Sequence, residues 1–367
     1  MPKIRKVFAL TMFLMAYLFW GFVPFFEKLC KEEVGPMAIV IIRFGVSTIL
    51  LLILLIVYRI FKKDFWMKNG GIMKFSFEKV KFGIIQKKLE MPRIMFYSFL
   101  GILFIVALDF FFFMIRAFGN ALAVGLVLSL GLPAPLTALF EVVFGKFKSQ
   151  KISNIWRFAV GVVAAISGVG AAICRLQQPV IEGMTSWTGY IWVFGFVIAW
   201  SAWLIIKTRE TQLYVNKESF IIEVWKLCTI FSSGLAFNFI LICFISKEEL
   251  QGIIGYFTFI AQYSSGSTNL SYDTFLSLSM MSLLSTFLAY LALFKAFAQL
   301  SDSEILSVLA VVLQTFEPLT ALLIEVFVWR RGLTNLTILG IILVLASMTA
   351  ILIISCILEK QNLSDRQ

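Results

Sequence analysis

Histidine is absent from all 367 residues. That removes Ser-His-Asp catalysis, histidine proton relays and Cys/His zinc sites. Cysteine is scarce: Cys30, Cys174, Cys228, Cys243 and Cys356 are odd in number and form no CxxC pair, so neither a disulfide framework nor a metal site is expected. No P-loop, no glycine-rich dinucleotide turn and no paired acidic metal motif occurs, which argues against ATP-driven work by this chain alone. Charge is also scarce, at 14% of residues, where a soluble domain carries about a quarter.

What is abundant is apolar sequence. Hydrophobic residues make up 60% of the chain, and they arrive in runs of about 20, the length that crosses a bilayer as a helix. The first run follows the basic "MPKIRK" but leads into "WGFVPFFEK" without a small-x-small cleavage site, so it reads as a retained span. Ten spans are expected: 7–26, 36–58, 94–115, 120–144, 156–174, 188–206, 220–245, 274–295, 303–328 and 334–356. Two polar connections interrupt them, a lysine-rich loop at 59–93 and a Gly/Ser-rich loop at 246–273. The inner "GIIGYFTFIA" of the second is too short to span and reads as a packed loop or an interfacial dip.

Charge distribution predicts orientation. The 59–93 segment carries ten basic residues against three acidic ones, and Lys and Arg collect on the cytoplasmic side. Both termini are therefore expected in the cytoplasm. The net charge of +11 mostly encodes this topology. The positives do not gather on one folded face, so no nucleic-acid partner is expected. No eukaryotic sorting signal is apparent, and a bacterial-type plasma membrane is the expected location.

Ionisable groups at membrane depth are costly and normally face an interior with a partner. Arg43 falls in span two, Asp109 in span three, Glu223 and Lys226 in span seven, and Glu317 in span nine. Asp109 has no basic residue within a turn and suits a group that takes up and releases a proton. Arg43 reads either as a structural anchor or as a ligand, and Glu223 and Lys226, three apart, either as a pair or as site groups. Asn238 and Gln314 add neutral polar groups. Trp20, Trp200 and Tyr290 lie deep enough to stack on a flat or cationic solute, whereas Trp192 and Trp203 are expected at the lipid interface.

The segment "PLTAL" occurs at 135–139 and again at 318–322, and the first copy reads "LGLPAPLTAL". Pro133, Pro135 and Pro318 thus interrupt helices at corresponding places in two halves. Such breaks are the best sequence pointer to a central transport site.

Independent motifs agree. "WGFVPFFEKLCKEEVGPMAIVIIRFGVS", with Trp20, Gly21, Lys28, Pro36 and Arg43, resembles the opening of the EamA-like repeat of the drug/metabolite transporter superfamily. "FLAYLALFKAFAQLSDSEILSVLAVVLQTFEPLTALLIEVF", with its Glu317-Pro318, is similar to the same family's later helices. The Gly-Glu-Arg that usually follows the fourth helix of each repeat is replaced here by "FGKFKSQ" and "VWRRGLT", the mark of a divergent member. The resemblance implies an all-α integral membrane fold of ten transmembrane helices in two inverted five-helix repeats, at 1–175 and 188–358, followed by a cytoplasmic tail at 359–367.

It also implies a secondary transporter for a small organic metabolite, an amino acid or an adenosyl compound such as S-adenosylmethionine, working by alternating access with proton coupling or exchange. A cavity with Asp109, Glu317 and aromatics suits a cationic or zwitterionic solute; Arg43 and Lys226 could instead favour an anion. The expected partners are the solute, membrane lipids and a proton or counter-solute, with room for a homodimer; no cofactor or metal is expected. Two other classes stay open: a non-transporting scaffold or sensor that uses the 59–93 loop, and a membrane enzyme acting on a lipid head group.

Overall fold

The computed structural model describes residues 3–30, 33–61, 76–84, 87–118, 187–213, 220–245, 247–263 and 270–299, with isolated positions between 133 and 166 and between 317 and 357. In chain order the elements are α1 (Lys3–Gly21), α2 (Val23–Leu29), α3 (Pro36–Phe61), β1 (Lys79–Ile84), β2 (Lys87–Pro92), α4 (Arg93–Phe118), α5 (Trp187–Leu213), α6 (Phe220–Ile245), α7 (Lys247–Tyr263) and α8 (Tyr272–Met280). A π-helical segment, Met281–Leu288, then leads into α9 (Ala289–Gln299).

Six stretches are long and apolar enough to cross a membrane: Val7–Leu29, Pro36–Ile60, Arg93–Ala117, Gly189–Thr208, Ile221–Phe244 and Tyr272–Gln299. They coincide with expected spans one, two, three, six, seven and eight. Spans four, five, nine and ten lie outside the described residues apart from isolated positions. The chain is an all-α membrane protein over what is described, save for one small hairpin. On α3 the exposed Ile49, Ile53, Ile56 and Ile60 form a stripe at helical spacing, the pattern of a face turned to lipid.

Local sequence explains the irregularities. The first span breaks at Gly21–Phe22, and Pro24 sits in the first turn of α2, where its missing N–H costs nothing. A Cβ at Gly21 would stand 3.0 Å from the Glu317 carbonyl and run into Thr320, so this break is also a point of close helix approach. Helix α4 packs against both α5 and α6, α3 packs against α6 and the π-helical segment, and α1 packs against α9. The α4–α6 contact is tight because Gly101 and Gly234 face each other; a Cβ on Gly234 would meet the Gly101 carbonyl at 2.7 Å.

Both polar connections are more ordered than the sequence suggests. The end of the 59–93 segment forms an antiparallel hairpin, Lys79 pairing with Pro92 and Ile84 with Lys87. It is tied to α4 by Arg93, whose backbone N–H donates to the Glu78 carbonyl and whose guanidinium pairs with the Glu78 carboxylate at 3.1 Å. The 246–273 connection, expected as a loop, contains the 17-residue helix α7. Ile253, Tyr256 and Phe259 are buried, with Tyr256 and Phe259 stacked on Phe275 of α8. Gly252 and Gly255 hide this helix from a composition reading, and Gly252 is where α7 closes on Val34 and Ala38.

These contacts define two ends of the bundle. At the α7 end lie the start of α3, the end of α4 and the start of α5; at the hairpin end lie the start of α4, the end of α5 and the start of α6.

Candidate functional site

A narrow cleft of about 30 Å³ lies within the bundle, lined by Trp20, Val23, Arg43, Leu108, Phe111, Phe196, Trp200, Tyr290 and Glu317. Five of the residues singled out in the sequence, Trp20, Arg43, Trp200, Tyr290 and Glu317, come together here from distant parts of the chain. All five are buried.

Aromatic rings form the walls. Trp20 is 4.8 Å from Tyr290 and 6.0 Å from Trp200, centroid to centroid. Trp200 stacks between Phe196, at 5.7 Å, and Trp203, at 5.0 Å. Trp203, expected at the lipid interface, is fully buried and continues the stack toward the hairpin end. Phe104 is the hub of this floor, with Phe44, Trp203, Phe231 and Tyr290 all within 6 Å of its ring. Trp192 is half-buried, stacked on Phe113 at 4.8 Å.

Arg43 is held by the π-helical segment. Its Nε donates to Thr286 Oγ1 at 3.0 Å and its Nη2 to the Ser285 carbonyl at 3.3 Å. Thr286 Oγ1 in turn donates to the Met281 carbonyl, five residues back, at 3.1 Å. Ser47 Oγ lies between the carbonyls of Arg43, at 2.7 Å, and Ser282, at 2.9 Å. A π turn shifts the backbone register, so carbonyls such as those of Ser282 and Ser285 are available to side chains. Arg43 is thus both an anchor and a cavity group: Nε and Nη2 are tied to the π-helical segment, the guanidinium lies 5.2 Å from the Phe112 ring, and the side chain lines the cleft. Trp20 supplies a second donor, since its indole N–H finds no acceptor among the described residues. Glu317 brings a negative charge within electrostatic reach of Arg43 and Tyr290.

Asp109 and Asn238 form a separate site. Asn238 Nδ2 donates to Asp109 Oδ1 at 2.9 Å between α4 and α6, and both residues are buried. Asp109 is therefore partnered, by a neutral amide. It neighbours the cavity residue Leu108 in sequence but faces α6.

Lys226 is not at the cavity. It belongs to a buried four-charge cluster at the hairpin end, donating to Glu210 Oε1 at 2.8 Å and to Glu223 Oε1 at 3.0 Å. Lys207 pairs with Glu210 Oε2 at 2.7 Å and lies 3.9 Å from Glu223 Oε2. The Tyr97 hydroxyl donates to Glu210 Oε1 at 2.5 Å. Glu210 stands just beyond the apolar stretch of α5. Burial opposes its ionisation, but Lys207 and Lys226 outweigh this and hold its carboxyl down at about 2. The Glu223–Lys226 pair was legible in the sequence; Lys207 and Glu210 were not, because they fall past the last apolar residue of span six.

At the α7 end, Glu249 reaches across from α7 to the N-terminus of α3, where its Oε2 accepts the Ala38 N–H at 2.8 Å. It thereby satisfies a donor that the first turn of a helix leaves open. Burial raises its carboxyl above the usual range, although the Ala38 and Met37 N–H groups favour the charged form. Arg116 bonds the Val34 carbonyl and sits 3.5 Å from Glu27.

Pro133 is a buried helical position, whereas Pro135, Pro318 and Gln314 lie outside the described residues. Among the described residues no group of three or more Cys, Asp or Glu is arranged to hold a metal ion.

No family model matches the sequence, and no curated protein matches it. Among solved structures, a chain described simply as "Crystal structure of protein" shares the fold, with a TM-score of 0.55 over 95% of this chain and 98% of its own at 13% identity. The likeness concerns the fold alone.

Proposed function

We propose that this protein is a secondary active transporter of a small organic metabolite, built as ten transmembrane helices in two inverted five-helix repeats of the EamA-like type. The observation that carries the reading is the convergence of Arg43, Glu317, Trp20, Trp200 and Tyr290 on one cleft inside a bundle of membrane-length helices. A buried cation, a buried carboxylate and aromatic faces are costly to assemble at that depth, and a solute that meets all three offsets the cost.

The cleft suits a small solute with an acceptor group for Arg43 and Trp20 and a flat or positively charged part for the aromatic walls and Glu317. An amino acid or an adenosyl compound fits this description. Arg43 orients the acceptor because the π-helical segment fixes its guanidinium. In the coupled cycle Asp109 takes up and releases the proton, with Asn238 as its partner in either state. The membrane is a bacterial-type plasma membrane with both termini in the cytoplasm.

Counterflow in proteoliposomes tests the proposal. Vesicles are loaded in turn with amino acids, nucleosides, S-adenosylmethionine, nucleotides and sugars, and uptake of the matching labelled solute is followed. Saturable uptake of one class, lost in Arg43→Met, is the expected result. Silence across the panel from folded protein would sink the reading.

A further inference from the structure

The buried four-charge cluster at the hairpin end has no place in the cavity chemistry. We infer that Lys207, Glu210, Glu223 and Lys226, with Tyr97, form a latch that seals the hairpin end of the bundle and must break for the cavity to open on that side. The inference rests on the transporter reading of the cavity and assigns the closure that alternating access requires.

Position is the first argument. Along α5, Trp200 lines the cavity, Trp203 stacks beneath it, and Lys207 and Glu210 follow on the same side at intervals of three and four residues. At 1.5 Å per residue, Lys207 lies about 10 Å beyond Trp200. A solute leaving the cavity toward the hairpin end passes the Phe104–Trp203 layer and then this cluster.

Connectivity is the second. Lys207 and Glu210 belong to α5, Glu223 and Lys226 to α6, and Tyr97 to α4. The Tyr97–Glu210 bond of 2.5 Å joins a helix of the first half of the chain to one of the second. The Lys226 ammonium lies 5.6 Å from the Tyr97 ring, and the Lys207 ammonium lies 4.4 Å from the ring of Phe294 on α9. One cluster therefore holds together four helices that line or support the path.

The third argument is energetic. Sealing a helix bundle with apolar side chains is the simpler solution, since buried ion pairs recover their desolvation cost only when every partner is in place. Two lysines against two glutamates meet that condition when dry. When water enters, each charge is hydrated and needs no partner. The cluster is thus favourable either paired and dry or separated and wet, and poor in between, which is the behaviour of a two-state closure.

The test reads access at Leu204, a buried position one turn on the cavity side of Lys207. In full-length protein with its native cysteines replaced by serine, Leu204→Cys is exposed in proteoliposomes to a membrane-impermeant maleimide. Labelling is expected to be slow, and to rise by about tenfold or more when Tyr97→Phe or Glu210→Gln is added. Tyr97→Phe removes a single hydroxyl and decides the matter if the charge variant does not fold. Unchanged labelling in folded Tyr97→Phe overturns the latch, whether or not solute counterflow is seen. Faster labelling without counterflow of any solute keeps the latch and removes the transporter reading.

Discussion

Asn238 donates its amide N–H to Asp109 across the α4–α6 interface at 2.9 Å, and its own Oδ1 has no donor among the described residues. An amide presents a donor and an acceptor on the same carbon. Turned one way it serves the carboxylate; turned the other it accepts from the protonated acid. The pair therefore tolerates both protonation states of Asp109 without rearranging helices. Asp109→Asn should leave the fold intact and abolish the pH dependence of uptake. Uptake measured against a pH gradient checks this, and a variant with wild-type pH dependence removes Asp109 from the coupling step.

The π-helical segment makes a separate prediction about Arg43. A lysine at that position keeps the charge but lacks the planar fork that bonds Thr286 and the Ser285 carbonyl together while the side chain lines the cleft. Arg43→Lys should weaken solute binding by about tenfold or more, the scale of one lost charge-assisted hydrogen bond. Thr286→Val, which keeps the guanidinium but loosens its orientation, should raise the apparent KM with a smaller effect on the maximal rate. Equal kinetics for Arg43→Lys and the wild type would make Arg43 an anchor only.

The sequence made the spans and part of the cavity legible because both depend on residue types that are expensive in a membrane. Runs of about 20 apolar residues admit few other structures, and Arg43, Asp109 and Glu317 stand out against them. What stayed hidden depends on contacts between helices. Asp109 looked solitary because its partner is 129 positions away. Lys226 looked like a site residue because Glu210 and Lys207 sit in the polar fringe of α5, where lysine and glutamate usually face water. Ser285 and Thr286 carried a readable signal as hydroxyls in an apolar helix, but the π turn that gives them their role is a register shift that periodicity does not report. Residue type alone points Trp203 to the interface, and its stacking on Trp200 shows that neighbours decide where a tryptophan lies.

Glu249 supplies a cap to α3 from another helix. Replacing a capping side chain costs about 0.5–2 kcal/mol, and this one also fastens α7 against the Val34–Ala38 turn. Glu249→Ala should therefore lower Tm by a few degrees and speed amide hydrogen exchange in α7 and the first turn of α3, leaving the hairpin end unaffected. Uniform acceleration across the protein would contradict a local capping role.

Glu210 gives a pH prediction whose sign follows from the direction of its shift. Its carboxyl titrates near 4.5 in the unfolded chain and at about 2 in the folded protein, where burial is outweighed by Lys207 and Lys226. The folded state then binds the proton less readily than the unfolded one, so the carboxylate stabilises the protein fully above pH 4.5. That contribution declines as pH falls toward about 2 and is gone below it. Glu210→Gln lacks it at every pH and also leaves two buried lysines with one carboxylate between them. The Tm difference between wild type and Glu210→Gln should be largest at neutral pH and narrow steadily on acidification through this window. Thermal unfolding in detergent from pH 7 to pH 3 measures it; a constant difference would mean that Glu210 acts through packing rather than charge.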